Sequence, residues 1–165
     1  MSLDNRPALY VGTYKKYNEG SLFGAWLYPD DYADKNDFID ACLALHEDEE
    51  DPELMFQDWE NIPGELASEC LIDDAVWEYI DACNEFDQEA VDAYIDWMRS
   101  WDKSDFEDKY CGHWDCFQDY AEELFDDCYA HECPDFLRGY IDMERVARDL
   151  EYDYYCTGGH VFRNT

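Results

Sequence analysis

Residues 73–99 read DDAVWEYIDACNEFDQEAVDAYIDWMR, and the reading of this stretch decides what kind of chain this is. Apolar residues at 76, 80, 83, 91, 94, 95 and 98 recur with a helical period. The acids Asp74, Glu78, Asp81, Glu85, Glu89, Asp92 and Asp96 follow one another in steps of three or four. That spacing puts seven carboxylates on one helical face, about 5.4 Å apart on average. One continuous helix and two helices broken near Asp87 both fit, because the row survives a modest bend. Like charges three or four residues apart destabilise a helix by a few tenths of a kcal/mol per pair, so the row is not a stability device.

Outward from this stretch the imbalance continues. Residues 36–98 hold 21 acids and no Lys or Arg, including the run Glu47, Asp48, Glu49, Glu50 and Asp51. A solvated acidic tail is the usual meaning of such a block. Here Phe38, Leu43, Phe56, Trp59, Trp77, Ile80, Tyr94 and Trp97 are interleaved through it, so the segment folds. The whole chain of 165 residues carries 43 acids against 11 bases, a formal net charge of -32, yet 18% of it is aromatic and 47% hydrophobic. Disordered chains lack that apolar content. The charge excludes phosphate-neutralising contact with nucleic acid and repels anionic membranes. It also favours an elongated chain of small domains, in which like charges lie further apart.

The N-terminal third predicts a hairpin, with strands over Ala8–Tyr14 and Ser21–Tyr28 joined by the turn residues Tyr17 to Gly20. Asp34 to His46 predicts a short helix opened by an acidic cap, followed by the acidic loop and a strand around Leu54 to Trp59. The Ile62-Pro63-Gly64 punctuation marks a boundary. Helices are predicted over Trp114–Tyr129 and Asp142–Glu151, and a closing hairpin turns at Gly158-Gly159. The class is therefore α+β, with small antiparallel sheets flanking a mainly helical middle. The corresponding domains are 1–62, 63–104 and 105–165. The N-terminus has no apolar stretch long enough for a signal-peptide core, which places the protein in the cytoplasm, where eight cysteines are reduced thiols or metal ligands rather than disulfides.

No glycine pattern matches a dinucleotide or phosphate loop, no serine sits in a nucleophile elbow, and carboxylates are too abundant for any pair to stand out as acid and base. The chain is read as a non-enzyme with no cofactor. One cluster has metal-ligating chemistry: Cys111, His113 and Cys116, then Cys128, His131 and Cys133. Two such knuckles could supply a tetrahedral zinc site, although their internal spacings exceed the usual two residues. The competing reading makes these thiols small buried hydrophobes on helix faces. His46 and His160 read as solvated or turn positions.

Duplex DNA carries one negative charge per ~1.7 Å of axis, so 32 net charges correspond at most to ~54 Å of duplex, roughly 16 base pairs. A folded surface of carboxylates at that density can occupy the basic channel of a DNA-handling enzyme. A halophilic enzyme would instead scatter its acids over the whole chain, and a zinc regulator would depend on the Cys/His cluster.

The segments Tyr10-Val-Gly-Thr-Tyr-Lys-Lys-Tyr-Asn-Glu-Gly-Ser21, Gly24-Ala-Trp26, Asp51-Pro-Glu-Leu-Met-Phe-Gln-Asp58, Tyr140-Ile-Asp-Met-Glu-Arg-Val-Ala-Arg-Asp-Leu150 and Gly159-His-Val-Phe162 carry a resemblance. In them the chain resembles the ArdA antirestriction proteins of conjugative plasmids and transposons over nearly its whole length. The resemblance implies a DNA-mimic inhibitor that binds the methyltransferase core of type I restriction-modification enzymes and blocks restriction, in some cases modification too. It also implies three small domains in a row and a homodimer formed through the C-terminal one. The working surface expected from the charge pattern is Asp74, Glu78, Asp81, Glu85, Glu89, Asp92 and Asp96. Glu47, Asp48, Glu49, Glu50 and Asp51 extend it, as do Asp119, Glu122, Glu123, Asp126 and Asp127.

Overall fold

The computed structural model describes residues 5–165, so the first four residues of the expected 1–62 domain lie outside the described part. The fold is α+β, with eight helices and two three-stranded antiparallel sheets among the described residues. The chain divides into two compact units, Met1–Trp101 and Asp102–Thr165.

In the first unit β1 (Ala8–Thr13) is the central strand, paired with β2 (Ala25–Leu27) on one edge and β3 (Leu54–Glu60) on the other. A strand flanked on both edges and covered on its faces needs a nearly continuous apolar run. Leu9 and Val11 are fully buried as a result. The connection between β1 and β2 differs from the predicted hairpin. Tyr14–Asn18 forms a five-residue helix, α1, whose N-cap Thr13 accepts from the Lys16 backbone N–H. Gly20, at φ +81°, then turns the chain toward a second strand much shorter than predicted.

Helix α2 (Lys35–Leu45) starts where expected, at Asp34, whose carboxylate accepts from the Asp37 N–H at 3.0 Å. It buries Phe38 and Cys42, and Phe38 lies edge-on to Tyr32 and Trp77 with centroids 5.5 and 5.8 Å away. Burying such a ring stabilises by about 2 kcal/mol. The same burial pushes the Cys42 thiol up to about 12. Trp77 also donates its indole N–H to the Tyr32 carbonyl at 3.2 Å, which fastens α3 (Ala75–Glu85) to this layer.

The row of acids lies on two helices. Phe86 is extended (ψ 171°), and Asp87 opens α4 (Gln88–Met98) by accepting from the Glu89 N–H at 2.9 Å. Arg99, at φ +61°, closes α4 in the left-handed conformation. Val76, Tyr79, Ile80, Ala90, Val91, Tyr94 and Ile95 are buried on the inner faces, while Met98, counted among the apolar positions, is 36% exposed.

In the second unit α5 (Lys103–Lys109) leads into β4 (Tyr110–His113), neither of which the sequence signalled. The predicted closing hairpin is present as β5 (Tyr154–Thr157) and β6 (His160–Arg163), with β6 central in the order β4-β6-β5. Helices α6 (Phe117–Cys128) and α8 (Met143–Leu150) pack together, and a single turn, α7 (Asp135–Arg138), lies between them in sequence. Phe106 and Phe162 are the fully buried phenyl rings of this unit, 6.2 Å apart and joined by Tyr110. His160 is buried and pairs through Nδ1 with the Tyr110 hydroxyl at 3.0 Å, which corrects its reading as a solvated turn residue.

A candidate acidic protein-binding surface

Helical periodicity does the first part of the work. With the apolar faces of α3 and α4 buried, Asp74, Glu78, Asp81, Glu85, Glu89, Asp92 and Asp96 are all exposed. Bases lie near the two ends of the series. Lys35 Nζ is 4.0 Å from Asp74, and Arg99 is 3.5 Å from Asp96 while pairing more closely with Glu65. The arginine lowers the Glu65 pKa through its hydrogen bond.

Asp92 differs from its neighbours. Its Oδ1 accepts from the buried Tyr79 hydroxyl at 2.8 Å, and Gln88 Nε2 donates to the same hydroxyl at 3.3 Å. Loss of hydration raises the Asp92 pKa against the opposing effect of that hydrogen bond, and burial raises the Tyr79 pKa as well. Cys83, buried nearby, is pushed up to about 11 chiefly by burial. A pocket of about 320 Å³ opens here, lined by Ile62, Tyr79 and Ile95 together with Glu65, Asp92 and Asp96. A carboxylate-rimmed pocket with apolar walls suits a cationic side chain and repels phosphate.

The five-acid run is a loop, as expected, but its members do not all face outward. Glu47, Glu50 and Asp51 are exposed. The Asp48 carboxylate accepts from Lys16 Nζ at 2.7 Å, which lowers its pKa. The Glu49 side chain is only 6% exposed and accepts from Thr13 Oγ1 at 2.6 Å. His46 is completely buried, so its reading as a solvated residue is also corrected. Thr13, Lys16, His46 and Tyr79 were not among the expected site residues. The only sequence signal for the first two is their place in the segment Tyr10 to Ser21.

In the second unit Asp119, Glu122, Glu123, Asp126 and Asp127 are exposed along α6, while its inner face buries Tyr120 and Ala121. The proposed zinc ligands do not converge. Among the described residues no three His, Cys, Asp or Glu side chains are placed to hold a metal ion. Cys111 donates toward the Lys109 carbonyl at 3.3 Å, Cys133 lies against the Pro134 carbonyl, and His131 is near Glu132. The alternative reading of these thiols as buried hydrophobes fails too, because Cys116 and Cys128 are exposed and Cys111 and Cys133 half-buried. All eight cysteines are free, and among the described residues no helix is long and apolar enough to cross a membrane.

The geometry therefore provides ordered, outward-facing carboxylates on rigid helices, separately in each unit. Two comparisons bear on what they are for. The family model described as Antirestriction protein (ArdA) matches residues 9–162. A search of curated proteins gives no match.

Proposed function

The chain belongs to the ArdA antirestriction protein family, and we propose that it acts as a DNA mimic that occupies the DNA-binding channel of a type I restriction-modification enzyme. The observation that carries this reading is the exposed row of acids on α3 and α4, seated on a buried aromatic and aliphatic face in a stretch with no Lys or Arg. Helical seating matters because a flexible acidic tail would lose ordering entropy on binding, whereas carboxylates fixed on packed helices do not. Complementary charge speeds encounter, and release of the partner's counterions makes the complex weaken with salt.

In this reading the protein has no catalytic step and no contact with nucleic acid, and it works in the cytoplasm of cells that receive mobile DNA. The segments 1–62, 63–104 and 105–165 act as three small modules. The third forms a homodimer, a role supported by the outward-facing Phe136, Tyr140 and Tyr152 at 75%, 86% and 81% exposure. Exposed aromatic rings are common anchors of protein interfaces.

The test is competition. A type I methyltransferase core bound to labelled target DNA is titrated with the protein at two salt concentrations. Displacement at near-stoichiometric amounts, weaker at the higher salt, is the expected result. A folded protein that displaces no DNA from the enzyme at either salt would sink the proposal.

A further inference from the structure

The segment Thr13 to Ser21 has no role in the acidic surface as described so far, yet it is built around a buried cation. Lys16 is 9% exposed in a protein with 11 bases, and its ammonium reaches back into the acidic loop rather than out to water. Nζ donates to Asp48 Oδ1 at 2.7 Å and to His46 Nδ1 at 2.9 Å, lies 3.5 Å from Glu49 Oε1, and sits 4.7 Å from the Phe23 ring centre.

The partners fix the state of His46. A lysine ammonium can only donate, so Nδ1 accepts; the Val11 carbonyl, 3.1 Å from Nε2, can only accept, so Nε2 carries the proton. His46 is therefore neutral, in a single tautomer, and bridges the central strand to the lysine. Thr13 completes the cluster by donating from Oγ1 to Glu49 at 2.6 Å. The backbone joins in, with the Glu49 N–H donating to the His46 carbonyl at 3.0 Å.

We propose that Thr13, Lys16, His46 and Glu49 form a latch that holds the Glu47–Asp51 loop in one conformation, with Lys16 as the positioning residue. Resting on the DNA-mimic reading above, it divides the five acids by task. Glu49 anchors the loop from within, Asp48 pairs with Lys16 while itself exposed, and Glu47, Glu50 and Asp51 are presented to the basic partner already ordered. The loop has no helix of its own to hold those three charges. One buried cation, satisfied by two carboxylates and an imidazole, replaces the packed face that α3 and α4 use for the same purpose. The partner so recognised is a basic protein surface, and the latch lowers the ordering cost of meeting it.

The test uses the full chain and the double variant Lys16→Met/Glu49→Gln, which keeps the lysine stem's bulk and leaves no unpaired charge at the buried end. Amide exchange at Glu49 and its loop neighbours is expected to accelerate about tenfold or more, while the amides of Tyr79 and Val91 keep their protection. The imidazole ¹⁵N shifts of His46 are expected to move from the pure Nε2–H pattern to a mixture of tautomers, a change that lost packing alone would not produce. Displacement of DNA from the methyltransferase is expected to weaken about fivefold, the cost of ordering a short loop on binding. Unchanged loop exchange with an unchanged His46 signature overturns the latch whatever the binding result. Faster exchange with undiminished displacement overturns the positioning role, and charge reversal on α3 and α4 then shows separately whether the mimic reading stands. A wild-type chain that displaces nothing overturns the mimic reading and the positioning role together, leaving exchange and tautomer to decide the latch alone.

Discussion

The Tyr79 hydroxyl donates to Asp92 Oδ1 at 2.8 Å, so the acid in the middle of the α4 row is also a polar tie between α3 and α4. Loss of hydration raises the Asp92 pKa in the folded state. A folded carboxyl with a raised pKa binds its proton more tightly than the unfolded chain does, so stability falls as pH rises through the carboxylate range. Asp92→Asn keeps an oxygen to accept from Tyr79 and removes the partly desolvated charge. Its melting temperature is expected to exceed wild type at neutral pH, with the gap closing as pH drops below the range where Asp92 itself takes up a proton. Tyr79→Phe instead removes the carboxylate's donor, which water only partly replaces at exposed Asp92, and is expected to lower stability by about 1 kcal/mol. Thermal unfolding of the three proteins, followed from mildly acidic to neutral pH, checks both signs.

The paired glycines at the β5–β6 turn are not equivalent. Gly158 (φ +55°) would bring a Cβ no closer than 4.0 Å to its nearest neighbour, His160, so Gly158→Ala is expected to cost only the left-handed penalty, about 1 kcal/mol. Gly159 (φ +85°) would place a Cβ 2.6 Å from His113 Nε2 and 2.8 Å from the Trp114 carbonyl oxygen. Its own carbonyl accepts from the Trp114 N–H at 2.8 Å, so the backbone cannot back away cheaply. Gly159→Ala is therefore expected to cost at least about 2 kcal/mol more than Gly158→Ala in urea unfolding. Equal losses at the two positions would contradict the close approach.

What was legible in the sequence was whatever local rules decide. The Asp34 cap, the 3.6-residue periodicity of 75–98 and the Gly158-Gly159 turn all act within a few residues, and each is where it was expected. What was missed depends on distant partners. Helix α1 is five residues long, too short for periodicity, and is held by Thr13 and by Lys16 reaching 30 residues ahead to His46. Strand β4 is four residues with a register shift before Gly112, and it exists because β6 lies beside it some 50 residues later in the chain. His46 follows a helix and precedes five acids, which looks like a solvated position; the Val11 carbonyl that it meets on burial is 35 residues away. The candidate surface was legible for the same reason as the helices, since exposure on α3, α4 and α6 follows from their period. The inward turn of Glu49 in the loop does not.

Exposure also sets how the acids should respond to mutation. The quadruple variant Glu78→Lys, Asp81→Lys, Glu85→Lys and Glu89→Lys changes only outward side chains of α3 and α4, so circular dichroism and melting temperature should change little. Positions 78, 81 and 85 still repel one another after reversal, and only the spacings 74–78 and 89–92 become attractive, by a few tenths of a kcal/mol each, so the net effect on the helices is small. Against a basic channel the same variant turns four attractions into repulsions. At about 0.5 kcal/mol for each reversed charge, displacement of DNA should weaken by roughly thirtyfold or more. Its dependence on salt should flatten as well, because fewer of the partner's counterions are released. A matching variant reversing Asp119, Glu122, Glu123 and Asp126 on α6 measures the second unit's share independently. Because a field is a sum over charges, each single reversal should have a small effect and each set a large one. A set whose reversal leaves both displacement and salt dependence unchanged does not face the partner.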